Sequence, residues 1–331
     1  MSWQDGAMLA AAFSILLVVV GAALLTAGAE AFAENMSAAA ARLGVSVLAL
    51  GLLLAGAEPE EAITAMVAAG QGHPALAAGD VIGANLVVLT LTLGLAALLG
   101  RLPVSRRVMQ YAVAAALAGV LALALMLNGV LSRPEGLLLV FVYAAGVTWV
   151  WRRERRPPVI GELAEHDEEA GRRGHVVPAR GGEAATGRAV FLVILGLVAM
   201  VFGGYLAVRG AEGLVEVFGA TDSVIGLTVL GLATSAEMVA LVWAARRRGL
   251  SEIVLAGAIG SVAYNATVSL GLAALVGPLG LGMHNAVLKV GALTAVLPLV
   301  VLLGRRGSLP RWLGVPLVAG YVAVVAWLFA A

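Results

Sequence analysis

The chain has 331 residues, 61% of them apolar and only 12% charged, with a formal net charge of +1. A mean hydropathy of +0.99 puts it in a membrane class and leaves no basic excess for nucleic acid as a partner. No cysteine is present, so disulfides, thiol catalysis and thiolate metal sites are excluded.

Ten apolar stretches follow one another at roughly 8–28, 40–68, 75–99, 108–128, 135–151, 188–208, 221–245, 252–277, 283–303 and 312–331. Each is long enough, or nearly so, to cross ~30 Å of hydrocarbon at ~20 residues per helix. The opening MSWQDGAM lacks a basic n-region, so the first stretch reads as an uncleaved span. With the N-terminus outside, Arg133 and Arg209 fall on the outer side, Lys289 lies within a span, and every other basic residue falls inside. This agrees with the positive-inside rule and places both termini outside.

Along the chain, Gly28-Ala29-Glu30 ends the first span and Gly210-Ala211-Glu212 ends the sixth, where capping or solvation accounts for the acids. The second span is interrupted by Gly56-Ala57-Glu58-Pro59-Glu60-Glu61. Pro59 removes a helix donor and Gly56 loosens the backbone, so a kink or unwound turn is expected there. Asp80, Asn85 and Thr90 are the polar groups of the third span, and Asp80 reads as a cap or flank of that span. Residues 152–187 form a polar stretch of mixed charge with Pro and Gly, read as a cytoplasmic linker between the halves 1–151 and 188–331. Its cluster Glu162, Glu165, Asp167, Glu168 and Glu169 leaves regulatory ion binding open, although a solvated tether is the simpler reading.

Residues 44–100 recur in outline at 221–277. Ser46 matches Ser223, Glu60 matches Glu237 and Gly83 matches Gly260, each 177 residues apart. Five spans per half force the two copies into opposite orientations, an inverted repeat. In the second copy Ala233-Thr234-Ser235-Ala236-Glu237 supplies hydroxyls just before its acid. A carboxylate near the bilayer centre costs at least about 2.5–3.5 kcal/mol, so Glu60 and Glu237 are expected to bind a cation or a proton. Glu60 and Glu61 point about 100° apart on a helix, and the 177-residue offset selects Glu60; Glu58 reads equally as a third ligand or a vestibule charge. Gly83, Ala84, Gly260 and Ser261 permit close helix approach, whereas Asn265 needs partners at this depth; its counterpart is Val88. The oxygen-rich inventory suits Ca²⁺, Na⁺ or H⁺ better than zinc or copper. Lys289 reads as a snorkelling side chain, with neutralisation of a carboxylate as the alternative.

These residues resemble the two alpha repeats of the cation/calcium antiporter superfamily, the sodium/calcium and calcium/proton exchangers. The carriers are GAEPEE (56–61) with GANLVV (83–88), and ATSAE (233–237) with GSVAYN (260–265). The resemblance implies an all-α integral membrane fold of ten transmembrane helices in two inverted five-helix repeats. It implies Glu60 and Glu237 as acidic ion ligands, Thr234 and Ser235 as the hydroxyl-bearing approach, and Ser261 and Asn265 as second-helix polar groups. Aligned to the six-residue form of the motif, Glu61 takes the place of Glu60. Alternating access would exchange Ca²⁺ or a related cation for H⁺ or Na⁺, with spans one and six sliding against the core. The expected setting is a prokaryotic inner or plasma membrane, with inorganic cations and the bilayer as partners and no resident cofactor. Ala57, Ala84 and Val88 depart from the polar residues of the pattern, which makes coupling to several Na⁺ ions doubtful. They also keep a second reading in play, a degenerate member that conducts or senses ions without coupled exchange. No catalytic triad or phosphate-cradling motif supports an enzyme.

Overall fold

The computed structural model describes residues 3–43, 58–154, 183–239, 242, 251–282 and 285–330. Gly56 and Ala57 before the first break, most of the 152–187 linker, and Arg246, Arg247 and Arg248 lie outside the described residues. The first half opens with α1 (Trp3–Leu43), α2 (Pro59–Gly70) and α3 (Pro74–Leu86), which runs through a π-helical turn (Val87–Thr92) into α4 (Leu93–Leu99). Strand β1 (Leu102–Pro103), α5 (Arg106–Met126), β2 (Val130–Leu131) and α6 (Arg133–Glu154) follow. The second half contains α7 (Glu183–Phe218) and α8 (Asp222–Ile225), a π turn (Gly226–Leu230) and α9 (Gly231–Thr234). After it come α10 (Ser251–Tyr264), a π turn (Asn265–Ser269), α11 (Leu270–Val276), β3 (Leu279–Gly280) and α12 (Ala286–Val296). A 3-10 stretch (Leu297–Gly304), β4 (Ser308–Leu309) and α13 (Gly314–Ala330) close the chain.

Local chemistry explains the element ends. Pro59 and Pro74 occupy first-turn positions, where the missing N–H costs nothing. Ser105 accepts from Val108 N at 3.3 Å and Asn285 from Val287 N at 2.8 Å, capping α5 and α12. Gly72, at φ +87°, turns the chain between α2 and α3 in a backbone region that side chains disfavour. Seven helices among the described residues are long and apolar enough to cross a membrane. Several acids, hydroxyls and amides are buried inside, and α3 is buried along nearly its whole length, while α1, α5 and α13 turn apolar faces outward, as a lipid solvent permits.

Helices α1 and α7 form one long antiparallel seam. Gly28 meets Gly196, Gly21 meets Gly203 and Gly210 meets Ser14, with an added Cβ falling 2.6–2.7 Å from the opposing carbonyl oxygen in each case. The small residues recur every seven positions on both helices, which lets the backbones touch. A pair of two-stranded ribbons also joins the halves. β1 pairs with β4 (Leu102 opposite Leu309) and β2 pairs with β3 (Leu131 opposite Leu279). Helix α4 and strand β1 lie 177 residues before α11 and β3, and the π turns at Val87 and Asn265 nearly share that offset. The sequence repeat is thus matched element by element where both copies are described.

Candidate cation site

The centre of the molecule is built on two helix interruptions and one continuous helix. At the first, Glu58 is non-helical (φ −109°, ψ 82°) and Pro59 starts α2, so Glu60 and Glu61 stand in its first turn. Carboxylates there face unpaired N–H groups and the positive end of the helix dipole. At the second, α9 ends at Thr234, Ser235 turns the chain (φ −87°, ψ 9°), and helix resumes over 236–239. Thus Glu60 and Glu237 both occupy the second position after a break. A helix starts at Pro59 directly after the non-helical Glu58, the residues immediately before Glu58 lie outside the described ones, and the second copy breaks without a proline.

Helix α3 passes between these breaks because glycines bring it close. A Cβ on Gly83 would lie 2.6 Å from the Leu227 carbonyl oxygen, and one on Gly231 would lie 2.7 Å from Ala84 N. This approach carries Thr234 onto Asp80: the hydroxyl donates to Asp80 Oδ1 at 3.1 Å, with the Leu230 carbonyl an equally near acceptor. Ser235 Oγ donates to Glu61 Oε1 at 2.8 Å. Asn265 Nδ2 donates to Glu58 Oε2 at 3.2 Å, and its Oδ1 accepts from Ser269 Oγ at 2.9 Å. Each of these three carboxylate contacts crosses from one half of the chain to the other. Thr64, whose hydroxyl donates to the Glu60 carbonyl at 2.7 Å, lies beside Gly204 of α7, so the α1–α7 seam abuts the same cluster.

Of the residues singled out in the sequence, Glu58, Glu60, Glu61, Thr234, Ser235, Ser261 and Asn265 are all buried. Glu237 is half-buried, two residues beyond Ser235. Glu61, the alternative that the six-residue form of the motif selects, receives the Ser235 hydroxyl from the other half. Asp80 corrects the sequence reading: it is neither cap nor flank but sits midway along α3, fully buried and bonded by Thr234. The signal available for it was depth, since it lies inside an apolar run where an unpartnered carboxylate is costly. Ala84 and Val88 are fully buried, so the departures from the motif lie inside the protein. Lys289 is exposed, with its ammonium 5.4 Å from the centre of the Trp327 ring. Tyr264, stacked edge-on against Tyr143 at 5.6 Å, lies in electrostatic reach of Glu60 and Glu58.

Glu61 stands in electrostatic reach of both Asp80 and Glu58. Among the described residues, however, no three acidic or histidine side chains converge closely enough to hold one metal ion. The carboxylates are instead interleaved with hydroxyl and amide groups. Glu61 Oε2, Asp80 Oδ2 and Ser261 Oγ are buried without a hydrogen-bond partner among the described residues. A buried carboxylate oxygen left this way demands a proton or a cation.

The family model for the sodium/calcium exchanger protein matches residues 8–152 and 188–330, nearly all of the chain outside the linker. The chain belongs to the sodium/calcium exchanger family. As a family member it is a multi-pass membrane transporter of inorganic cations and not an enzyme. Its similarity extends to the inner membrane protein YrbG of Escherichia coli (strain K12), 26% identical over 81% of this chain and 82% of that protein. It is also similar to the sodium/calcium exchanger MaX1 of Methanosarcina acetivorans, 30% identical over 42% of this chain and 40% of that one. Among solved structures, the sodium-calcium exchanger NCX_Mj soaked with Na⁺ and Sr²⁺ superimposes with a TM-score of 0.59. The match covers 96% of this chain and 99% of that chain at 22% identity, a likeness that speaks to the exchanger fold.

Proposed function

We propose that this exchanger-family member is a secondary active antiporter that exchanges Ca²⁺ or a related cation for H⁺ or Na⁺ by alternating access. In this reading ten spans form two inverted five-helix repeats, and the ion binds at mid-membrane between them. The observation that carries the proposal is the set of buried bonds between halves: Ser235 to Glu61, Thr234 to Asp80 and Asn265 to Glu58. An ion held among these groups is held by both halves at once, so a relative movement of the halves changes its coordination. The acids Glu58, Glu60, Glu61 and Asp80, with Glu237 from the second half, supply the negative charge. Thr234, Ser235, Ser261 and Asn265 supply neutral oxygens, a donor set suited to a hard cation. The interleaving that keeps three acids from one point favours alternation between ion and proton over a permanent cage. Ala84 and Val88 supply no oxygen of their own, which supports coupling to few ions rather than to several Na⁺.

The test is a panel of cation gradients, with and without a pH gradient, on purified protein in liposomes. Ca²⁺ movement is expected to depend on a counter-gradient of H⁺ or Na⁺ and to be lost in Glu61→Gln, Glu60→Gln and Glu237→Gln. Exchange that survives all three substitutions sinks this site. Ion flux without dependence on any counter-ion would replace the antiporter with the uncoupled, ion-conducting reading, for which the loss of polar groups at Ala84 and Val88 is the motivation.

A further inference from the structure

The β1–β4 and β2–β3 ribbons are the same backbone device at different places in the fold, yet their surroundings differ sharply in charge. Around β1–β4, Arg101 precedes β1, Arg106 and Arg107 begin α5, Arg305 and Arg306 precede β4, and Arg311 follows it. No Asp or Glu occurs in 100–111 or 297–313. The flanks of β2–β3, residues 127–135 and 277–282, hold one arginine and one acid. That arginine, Arg133, is committed to the carbonyls of Leu275 and Val276 at 3.2 Å, at the end of α11. The ribbon itself therefore does not require arginines.

Beside β4 lies an open cavity of about 620 Å³ lined by Leu302, Leu303, Arg305, Arg306, Ser308, Pro310 and Trp312. Both arginines are exposed, and among the described residues neither has a carboxylate partner. The lining is two-sided. Leu303, 56% exposed, continues the outward apolar face of the span, while Trp312, 65% exposed, stands at its polar end. Guanidinium forks match phosphate oxygens, tryptophan settles at the boundary between headgroups and acyl chains, and basic pockets between spans recognise acidic headgroups. A free phosphate would use the arginines but leave Leu302, Leu303 and Trp312 without a role. We propose that this cavity is a binding site for the phosphate-bearing headgroup of an anionic phospholipid. Arg305 and Arg306 hold the phosphate, Trp312 lies at the headgroup boundary, and the first acyl carbons run along Leu302 and Leu303. Positive-inside orientation puts the site in the inner leaflet. A lipid there pins the end of the ninth span, and the ribbon passes that restraint to the first half.

The full-length protein in detergent is titrated with phosphatidylglycerol, phosphatidylcholine or inorganic phosphate, following bound lipid by native mass spectrometry and thermal stability in parallel. Phosphatidylglycerol is expected to bind stoichiometrically and stabilise, while phosphatidylcholine and inorganic phosphate do neither. Arg305→Gln/Arg306→Gln should weaken binding about thirtyfold, from the attraction an acidic membrane surface exerts on each arginine. Trp312→Ala should weaken it with every charge retained. Arg152→Gln/Arg188→Gln removes two exposed charges from the same expected face and should leave binding unchanged. Equal loss in that control reduces the arginines to orientation signals and overturns the site. Protection by inorganic phosphate equal to that by phosphatidylglycerol overturns it in favour of a soluble anion. Should the double variant lose stability even before lipid is added, Trp312→Ala decides: unchanged lipid binding in that variant overturns the proposal.

Discussion

Replacing Gly83 by alanine tests whether the crossing of α3 over the second helix break sets the geometry of the buried acids. The new Cβ would lie 2.6 Å from Leu227 O and 2.8 Å from Leu227 C and Cα, all backbone atoms that no rotamer change can move. Ordinary contact begins at 3.4 Å, so the two segments must part by about 0.8 Å at this point, a small-to-large strain of the kind that cores resist. One turn away, the Thr234–Asp80 bond at 3.1 Å would open to about 3.9 Å, beyond hydrogen-bonding range. Overpacking at ~1–3 kcal/mol and an unpartnered buried polar group at ~1–3 kcal/mol give a combined loss of roughly 2–6 kcal/mol. Thermal unfolding in detergent and Ca²⁺-dependent stabilisation read the two effects separately. Gly79→Ala, whose Cβ would meet Gly226 Cα at 3.1 Å, should do less, and Gly320→Ala, with nothing within 4 Å, should be neutral. Wild-type unfolding and transport in Gly83→Ala would falsify the claim that this contact holds Thr234 on Asp80.

Ser235→Ala removes the hydroxyl that reaches Glu61. Its expected effect is about tenfold weaker cation affinity, from the ~1–1.5 kcal/mol of one hydrogen bond, measured as a shift in half-saturating Ca²⁺. The α1–α7 seam makes a register prediction in a chain with no native cysteine. Ser14→Cys with Gly213→Cys, at an ideal Cβ separation of 3.2 Å, should cross-link on mild oxidation, whereas Ser14→Cys with Gly203→Cys should not. Cross-linking of both pairs alike, seen on denaturing gels, would show that the helices do not keep this register. His73 Nε2 lies 3.0 Å from Glu212 of α7, and its Nδ1 lies 3.1 Å from Asp222 of α8. His73→Ala should therefore speed hydrogen exchange over 209–222 while barely moving the unfolding midpoint, since partly exposed ion pairs contribute little.

Much of the architecture was legible in the sequence because lipid imposes long apolar runs and makes any interruption conspicuous. Pro59 announced the first break, and the 177-residue offset aligned positions that prove to follow breaks in both halves. What stayed hidden had no periodic signal. Asp80 faces Gly257 at the repeat offset, so duplication gave it no counterpart, and its partner Thr234 comes from 154 residues away. The choice between Glu60 and Glu61 depends on which side of α2 meets Ser235, a packing fact that no spacing within one copy contains. The ribbons were equally silent, since strands of two residues bury no face of their own. The glycines of the seam were visible as single residues, but their antiparallel pairing needed α7 laid against α1.

The exchange of ribbon partners bears on how such a chain arose. Each half carries one strand of each ribbon and the mate of neither, so half a chain has two open edges and no way to close them by itself. Two copies of a single half, set head to tail, would close both. The fold therefore has the form that two such halves joined in one chain would take, each supplying the strands that the other lacks. Held in one chain, the halves need not carry the same side chains, and valine at 88 stands opposite asparagine at 265 at the repeat offset.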